Sequence, residues 1–274
     1  MRVDAHHHLW QYDAAEYGWL DEPLRALQRD FLPADLEREL RTAGVDAAVA
    51  VQARQTMEET RWLLELAKES RVIRGVVGWA AIAAEDFAAV VEEFAEEPLL
   101  KGLRHVVQAE PEGFLDGAEF NRGVAAMRGT GLVYDVLVYA PQLEKVTRFV
   151  DRHPEQMFVL DHMGKPAIAH DGFAAWAWDF RELARRQNVV CKVSGMVTEA
   201  DWKRWKEEDL RRYFDVAVEA FGSSRLMVGS DWPVLTVACG YGQWWETVRR
   251  WTGQLTATER EQIEGDVAAW FYKL

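Results

Sequence analysis

The chain has 274 residues with 32 basic and 45 acidic side chains, a net charge of −13, and 49% hydrophobic residues. That apolar share supplies a sizeable core and excludes disorder as the main state. The acidic balance argues against nucleic acid and anionic membrane as partners, because the average field repels phosphate. Two cysteines, Cys191 and Cys239, are too few for a disulfide framework and fit a reducing, cytoplasmic setting. Residues 1–6 lack the apolar region of a secretory signal, and no apolar run approaches the roughly 18 residues of a spanning helix.

In chain order, strand-like runs are expected over residues 2–8, 46–52, 73–79, 101–108, 132–139, 157–162, 189–194 and 226–230. Some, such as Met157-Phe158-Val159-Leu160, are continuously apolar, the mark of strands buried on both faces. Helix-like segments fall between them, over 33–43, 56–70, 86–96, 119–128, 141–152, 173–187, 209–221 and 243–251. The first opens with Pro33 and stops at Gly44, and the second gathers Trp62, Leu63, Leu66 and Ala67 on one face. A last helix is expected over 258–272. About eight β-then-α units predict an α/β chain, one domain over 1–274, folded as a parallel (β/α)8 barrel with an additional C-terminal helix. The rival is an open doubly wound sheet. Its nucleotide-binding form loses support because no glycine-rich phosphate loop follows the first strand.

A barrel of this kind keeps its chemistry at the C-terminal ends of its strands. Those ends carry His6-x-His8, Arg104-His105, Tyr139, Asp161-His162, Lys192-x-Ser194 and Ser230-Asp231-Trp232. Residues two apart on a strand share a side, so His6 and His8 can meet one ligand. With His162 and Asp231 they form an N,N,N,O set suited to a divalent ion such as Zn²⁺. Without metal, the same set is a histidine-surrounded carboxylate able to act as general base. Taken singly, each has a plainer use: strand histidines bond to neighbours, Asp231 caps a helix, and Lys192 makes a salt bridge. The coincidence of all of them at one rim favours a site.

Five ordered blocks carry a family resemblance: residues 3–10 (Val-Asp-Ala-His-His-His-Leu-Trp), 102–108 (Gly-Leu-Arg-His-Val-Val-Gln), 160–166 (Leu-Asp-His-Met-Gly-Lys-Pro), 192–195 (Lys-Val-Ser-Gly) and 229–234 (Gly-Ser-Asp-Trp-Pro-Val). Together they resemble the amidohydrolase-related metal-dependent hydrolases of TIM-barrel fold, in the branch holding L-fucono- and L-rhamnono-lactonases and an aromatic dicarboxylate lactonase. The resemblance implies a distorted barrel and hydrolysis of a cyclic ester. It makes His6, His8, His162 and Asp231 the rim residues and metal ligands, and Arg104 the substrate-binding arginine. The bridging lysine and further histidine of two-metal members have no counterpart here. One divalent ion, zinc first, or none are the alternatives it leaves. The tail has Gly265-Asp266 where the family has Gly-Asn.

The function expected is opening of a sugar (aldono) lactone by water, as part of carbohydrate catabolism. Asp231 is the expected general base, with Arg104, helped by His105 or His162, at the carbonyl oxygen. His105, Tyr139, Lys192, Trp10 and Trp232 are expected to contact the substrate. There are 13 tryptophans; Trp62, Trp251 and Trp270 are expected in helix packing, and Trp176, Trp178, Trp202 and Trp205 as walls or lids of the mouth. The alternatives are a non-oxidative decarboxylase of aromatic acids and a barrel that binds a small ligand without turnover. Monomer and homo-oligomer are equally open.

Overall fold

Short runs of valine, alanine and leucine, buried on both faces, make the strands. The computed structural model describes residues 1–170 and 172–274. The strands are β1 (Val3–His7), β2 (Ala47–Val51), β3 (Ile73–Gly78), β4 (Leu100–Val106), β5 (Val133–Leu137), β6 (Phe158–Leu160), β7 (Val189–Val193) and β8 (Leu226–Val228). They pair in parallel in the order of the sequence. β1 and β8 meet at a single bridge, His7 to Trp232, supported by His8 N–H on the Trp232 carbonyl (2.6 Å) and Asp231 N–H on the His6 carbonyl (2.8 Å). The Asp4 carboxylate seals this seam, accepting from the Ser230 backbone N–H (2.8 Å), the Ser230 hydroxyl (2.6 Å) and the Tyr241 hydroxyl (3.0 Å). The sheet is therefore a nearly closed (β/α)8 barrel.

The intervening helices are α1 (Pro33–Ala43), α2 (Met57–Glu69), α3 (Phe87–Ala95), α4 (Ala118–Ala126), α5 (Leu143–Arg152), α6 (Phe173–Ala184), α7 (Glu207–Phe221) and α8 (Tyr241–Thr252). Local chemistry sets their ends: the Thr56 hydroxyl caps α2 by accepting from Glu59 N–H at 3.1 Å. The C-terminal helix is α9 (Ala257–Glu261), a π turn over Gln262–Asp266, and α10 (Val267–Phe271). Val267, Ala268, Phe271 and Tyr272 pack with Val3, Ala5, Val49, Val133, Val159 and Val190 inside the barrel, so the tail plugs its lower end. Gly265 permits this approach, since a Cβ there would stand 1.8 Å from the Met1 carbonyl oxygen.

Several strands are shorter than the sequence suggested. β4, β5 and β6 stop at Val106, Leu137 and Leu160, and one-turn segments follow at Val107–Ala109, Ala140–Gln142 and Asp161–Gly164. Rim residues leave the sheet there to line a cleft. Among the described residues, no helix is long and apolar enough to cross a membrane.

Candidate active site

Between Asp4 and His7 the β1 register slips, three steps on β1 matching two on β2 (Ala48 to Ala50). A bulge of this type re-aims side chains, and it turns both His6 and His8 inward. His8 Nδ1 donates to the Val51 carbonyl at 2.8 Å, so in the neutral ring Nε2 is a bare lone pair. That atom faces His6 Nε2 at 3.2 Å and Asp231 Oδ1 at 3.3 Å, and His6 Nε2 lies 3.9 Å from the same oxygen.

Asp231 and His162 reach the rim through left-handed backbone, at φ 61° and 52°. The turn after β6 is left-handed at four consecutive residues, His162, Met163, Gly164 and Lys165. Non-glycine residues in this region cost of order 1–3 kcal/mol each and collect at functional sites. Trp176 Nε1 donates to the Met163 carbonyl at 2.8 Å and helps to hold the turn. Ser194 Oγ lies 2.9 Å from His162 Nδ1, and His162 Nε2 lies 3.9 Å from Asp231 Oδ1. Gly195 makes room for this imidazole: at φ 63°, an added Cβ would stand 2.6 Å from His162 Nδ1. Arg104 Nη1 donates to Asp161 Oδ2 at 3.0 Å and lies 3.3 Å from His6 Nε2, while Nη2 donates to the Gln52 carbonyl.

Burial pushes His162 down to about 4 and His6 well below its ordinary value, so both rings are neutral at pH 7. Burial also works against ionised Asp231, but His162 and His8 outweigh it and hold the carboxyl below its usual range. Asp161 behaves likewise: burial is opposed by Lys192, His6 and Arg104, and its pKa ends well below the ordinary carboxylate value.

The donor chemistry fits a divalent ion. Zinc bonded at about 2.0–2.1 Å in tetrahedral geometry sets its ligand atoms about 3.3 Å apart. His6 Nε2, His8 Nε2 and an Asp231 oxygen stand within 4.8 Å of one another, two of the three spacings being 3.2 and 3.3 Å. Three protein donors with a position left over is the pattern of catalytic zinc. His162 was expected in the same set; it instead groups with His6 and Asp161 and flanks Asp231 from the other side.

The rim opens into a cleft of about 820 Å³ whose lining includes His8, Arg104, His162, Asp231 and Tyr139. Other expected contacts lie elsewhere. Lys192 is fully buried and paired with Asp135 and Asp161, so it does not reach substrate. His105 faces away from Arg104, as neighbours on a strand do; its Nδ1 accepts from Trp79 Nε1 at 3.2 Å, and its Nε2 lies 2.7 Å from Glu110 Oε1. Trp10 and Trp232 are buried, each edge-on to Phe31. Trp10 anchors the segment after β1: it bridges Phe31, and its Nε1 donates to the Arg29 carbonyl at 2.9 Å. Of the expected wall tryptophans only Trp202 lines the cleft. Trp178, like Trp270, is exposed on the outer surface, Trp176 is buried, and Trp205 donates to the Ala238 carbonyl. His170 is exposed and outside the cleft lining; Asp171 lies outside the described residues.

Sequence reasoning missed Trp19, Glu16, Lys165 and Glu199, all of which line the cleft. Arg54 is ion-paired with Glu16, and Lys165 with Glu199 at 3.0 Å. The available signal was position: Glu16 and Trp19 lie in the loop after the first strand, where barrel sites are built.

A parallel barrel with two histidines at the end of its first strand, a histidine after its sixth and an aspartate after its eighth has the architecture of the amidohydrolase-related hydrolases. The chain belongs to the amidohydrolase family, which it matches over residues 3–274. It is 43% identical over 286 residues to an L-fucono-1,5-lactonase of Burkholderia multivorans, covering 100% of this chain and 96% of the relative. An L-fucono-1,5-lactonase of Burkholderia ambifaria is 34% identical over 282 residues, again covering 100% and 96%. A crystal structure of a Burkholderia multivorans amidohydrolase with bound zinc superposes with a TM-score of 0.97 at 42% identity, covering 100% of this chain and 99% of that one.

Proposed function

We propose that this protein is a lactonase that opens a neutral sugar lactone, of the L-fucono-1,5-lactone type, to its aldonic acid. The observation that carries this reading is the Asp231 carboxylate set among three imidazoles at the floor of an open cleft. Its imidazole contacts all run through Oδ1, leaving Oδ2 to take a proton from the attacking water and return it to the ring oxygen as that bond breaks. Arg104 and neutral His162 lie beside the same floor, where they can stabilise negative charge growing on the carbonyl oxygen; a donor in such a place contributes about 3–4 kcal/mol. His6, His8 and Asp231 would hold a zinc ion, which when bound polarises the carbonyl and lowers the pKa of water towards about 7.

The walls support a neutral polyol. The cleft cations Arg54 and Lys165 are each matched by a glutamate, so neither is free for a dicarboxylate. An ion pair of this kind can both accept from and donate to sugar hydroxyls. Trp19, Tyr139 and Trp202 offer ring faces to the C–H side of a sugar. The two free, buried cysteines suit a cytoplasmic location. A panel of L- and D-aldonolactones beside dicarboxylate lactones, read with a pH indicator, tests the proposal. Turnover of neutral sugar lactones is expected. No turnover by zinc-loaded enzyme, or preference for the dicarboxylates, refutes it, and CO₂ release from aromatic acids would replace it with the decarboxylase reading.

A further inference from the structure

Beneath the histidines the barrel interior carries a second polar layer that this chemistry does not use. Lys192 on β7 is fully buried. Its Nζ donates to Asp135 Oδ2 at 2.6 Å and lies 3.0 Å from Asp161 Oδ1 and 3.2 Å from His6 Nδ1. Asp135 on β5 accepts in turn from the Tyr272 hydroxyl, 2.9 and 3.1 Å from its two oxygens. The Tyr272 ring, just beyond α10, lies 5.4 Å from the lysine nitrogen. Asp161 is gripped on both oxygens, by Lys192 at Oδ1 and by Arg104 at Oδ2 (3.0 Å), and its Oδ1 stands 3.3 Å from His6 Nδ1. A polar column thus runs from the chain's tail, through the middle of the barrel, to the back of His6.

Stability alone does not account for it. A buried ion pair is commonly no better than apolar residues of the same volume. The neighbouring inward positions on the same two strands, Val133 and Val190, are indeed apolar. The column's place behind a donor histidine supplies a reason. Carboxylates on the far nitrogen of a metal-holding imidazole orient the ring, and losing such a partner weakens metal binding by about 10–100-fold. We propose that Lys192 is a positioning residue. Anchored by Asp135 and Tyr272, it holds Asp161 against His6 Nδ1, so that His6 Nε2 faces His8 and Asp231. The proposal rests on the reading of those three residues as the zinc-holding set.

The test compares zinc affinity, by competition with a chelator, for the wild-type protein, Lys192→Met, and Lys192→Met with Asp135→Asn. Melting temperature and lactone kinetics are measured in parallel. The double variant also removes the anion that the lost lysine would strand, which protects folding should the single variant fail. Zinc binding about 10–100-fold weaker is expected in both, with kcat reduced and KM within about twofold, since Lys192 does not line the cleft. A barrel that merely loosened would raise KM as well. Wild-type zinc affinity in the folded double variant overturns the proposal. If the wild-type protein opens lactones but takes up no zinc, the metal reading fails by itself. The positioning role is then judged on kcat, which a tenfold fall at constant KM supports and an unchanged value overturns.

Discussion

Asp231→Asn isolates the proposed base with little disturbance to the fold. The residue sits at φ 61°, where asparagine is among the few side chains at ease, so the backbone should hold where alanine would add strain. The change is nearly isosteric and removes the carboxylate that stands 3.3 Å from His8 and 3.9 Å from His162. Proton transfer by a positioned group contributes about 10²–10⁴-fold. Asp231 serves both the water and the leaving oxygen, so the middle of that range, about 10³ in kcat or about 4 kcal/mol, is the expected loss. KM should stay within about threefold, because Trp19, Tyr139 and Trp202 are untouched. The assay is indicator-monitored lactone opening at saturating zinc, with the melting temperature as control. A folded Asp231→Asn enzyme retaining even a tenth of wild-type kcat would refute the assignment.

Three further outcomes can be checked. Gly195→Ala places a Cβ 2.6 Å from His162 Nδ1 at φ 63°; kcat should fall more than about tenfold, with about 1–2 kcal/mol of stability lost in urea melts. With Asp231 held below the ordinary carboxylate range and His162 at about 4, kcat/KM should be level between pH 5 and 7; a fall centred near pH 6.5 would show a titrating imidazole in control. Glu59 is pushed up to about 7 by burial while one of its oxygens accepts from the Ala53 and Arg54 N–H groups. Its folded pKa exceeds its unfolded value, so its contribution is complete below about pH 4.5 and is lost as pH rises through 7. Glu59→Gln keeps the acceptor without the charge and should gain about 1–3 kcal/mol over wild type at pH 8 and little at pH 5; a gain equal at both values would refute the cause.

The alternation of strands and helices was legible because barrel strands buried on both faces read as continuous apolar runs, as in β2 and β6. His6, His8 and Asp231 were legible because they fall at strand ends, and period-two spacing put both histidines on one side. The β1 bulge that keeps them inward was not, since nothing in Val-Asp-Ala-His-His marks an extra residue. Nor was the left-handed turn from His162 to Lys165, which includes a methionine and a lysine in a conformation their propensities oppose. It is imposed by tertiary contacts such as Trp176 on the Met163 carbonyl. Asp135 did leave a trace: a lone acid in Val-Tyr-Asp-Val-Leu, in phase with inward Val133. Its partners Lys192 and Tyr272 are far apart in sequence, and only the closed barrel joins them. Of the tryptophans expected near the mouth, Trp202 lines the cleft while Trp10 and Trp232 are buried against Phe31, because adjacency to a rim residue says nothing about which way an indole turns.

The segment between Trp10 and Phe31 shapes the mouth of the site without supplying its floor. It contributes Glu16, Trp19 and Leu24 to the cleft wall yet none of the donor atoms on the floor. Both its ends are fastened at one place, where Trp10 and Phe31 exchange backbone hydrogen bonds of 3.0 and 2.9 Å. Substitutions at its cleft-facing positions, Glu16, Trp19 and Leu24, can therefore reshape the mouth and change which ring it admits without touching the donor atoms of the floor, while Tyr17, Leu20 and Leu27 stay fixed in the core.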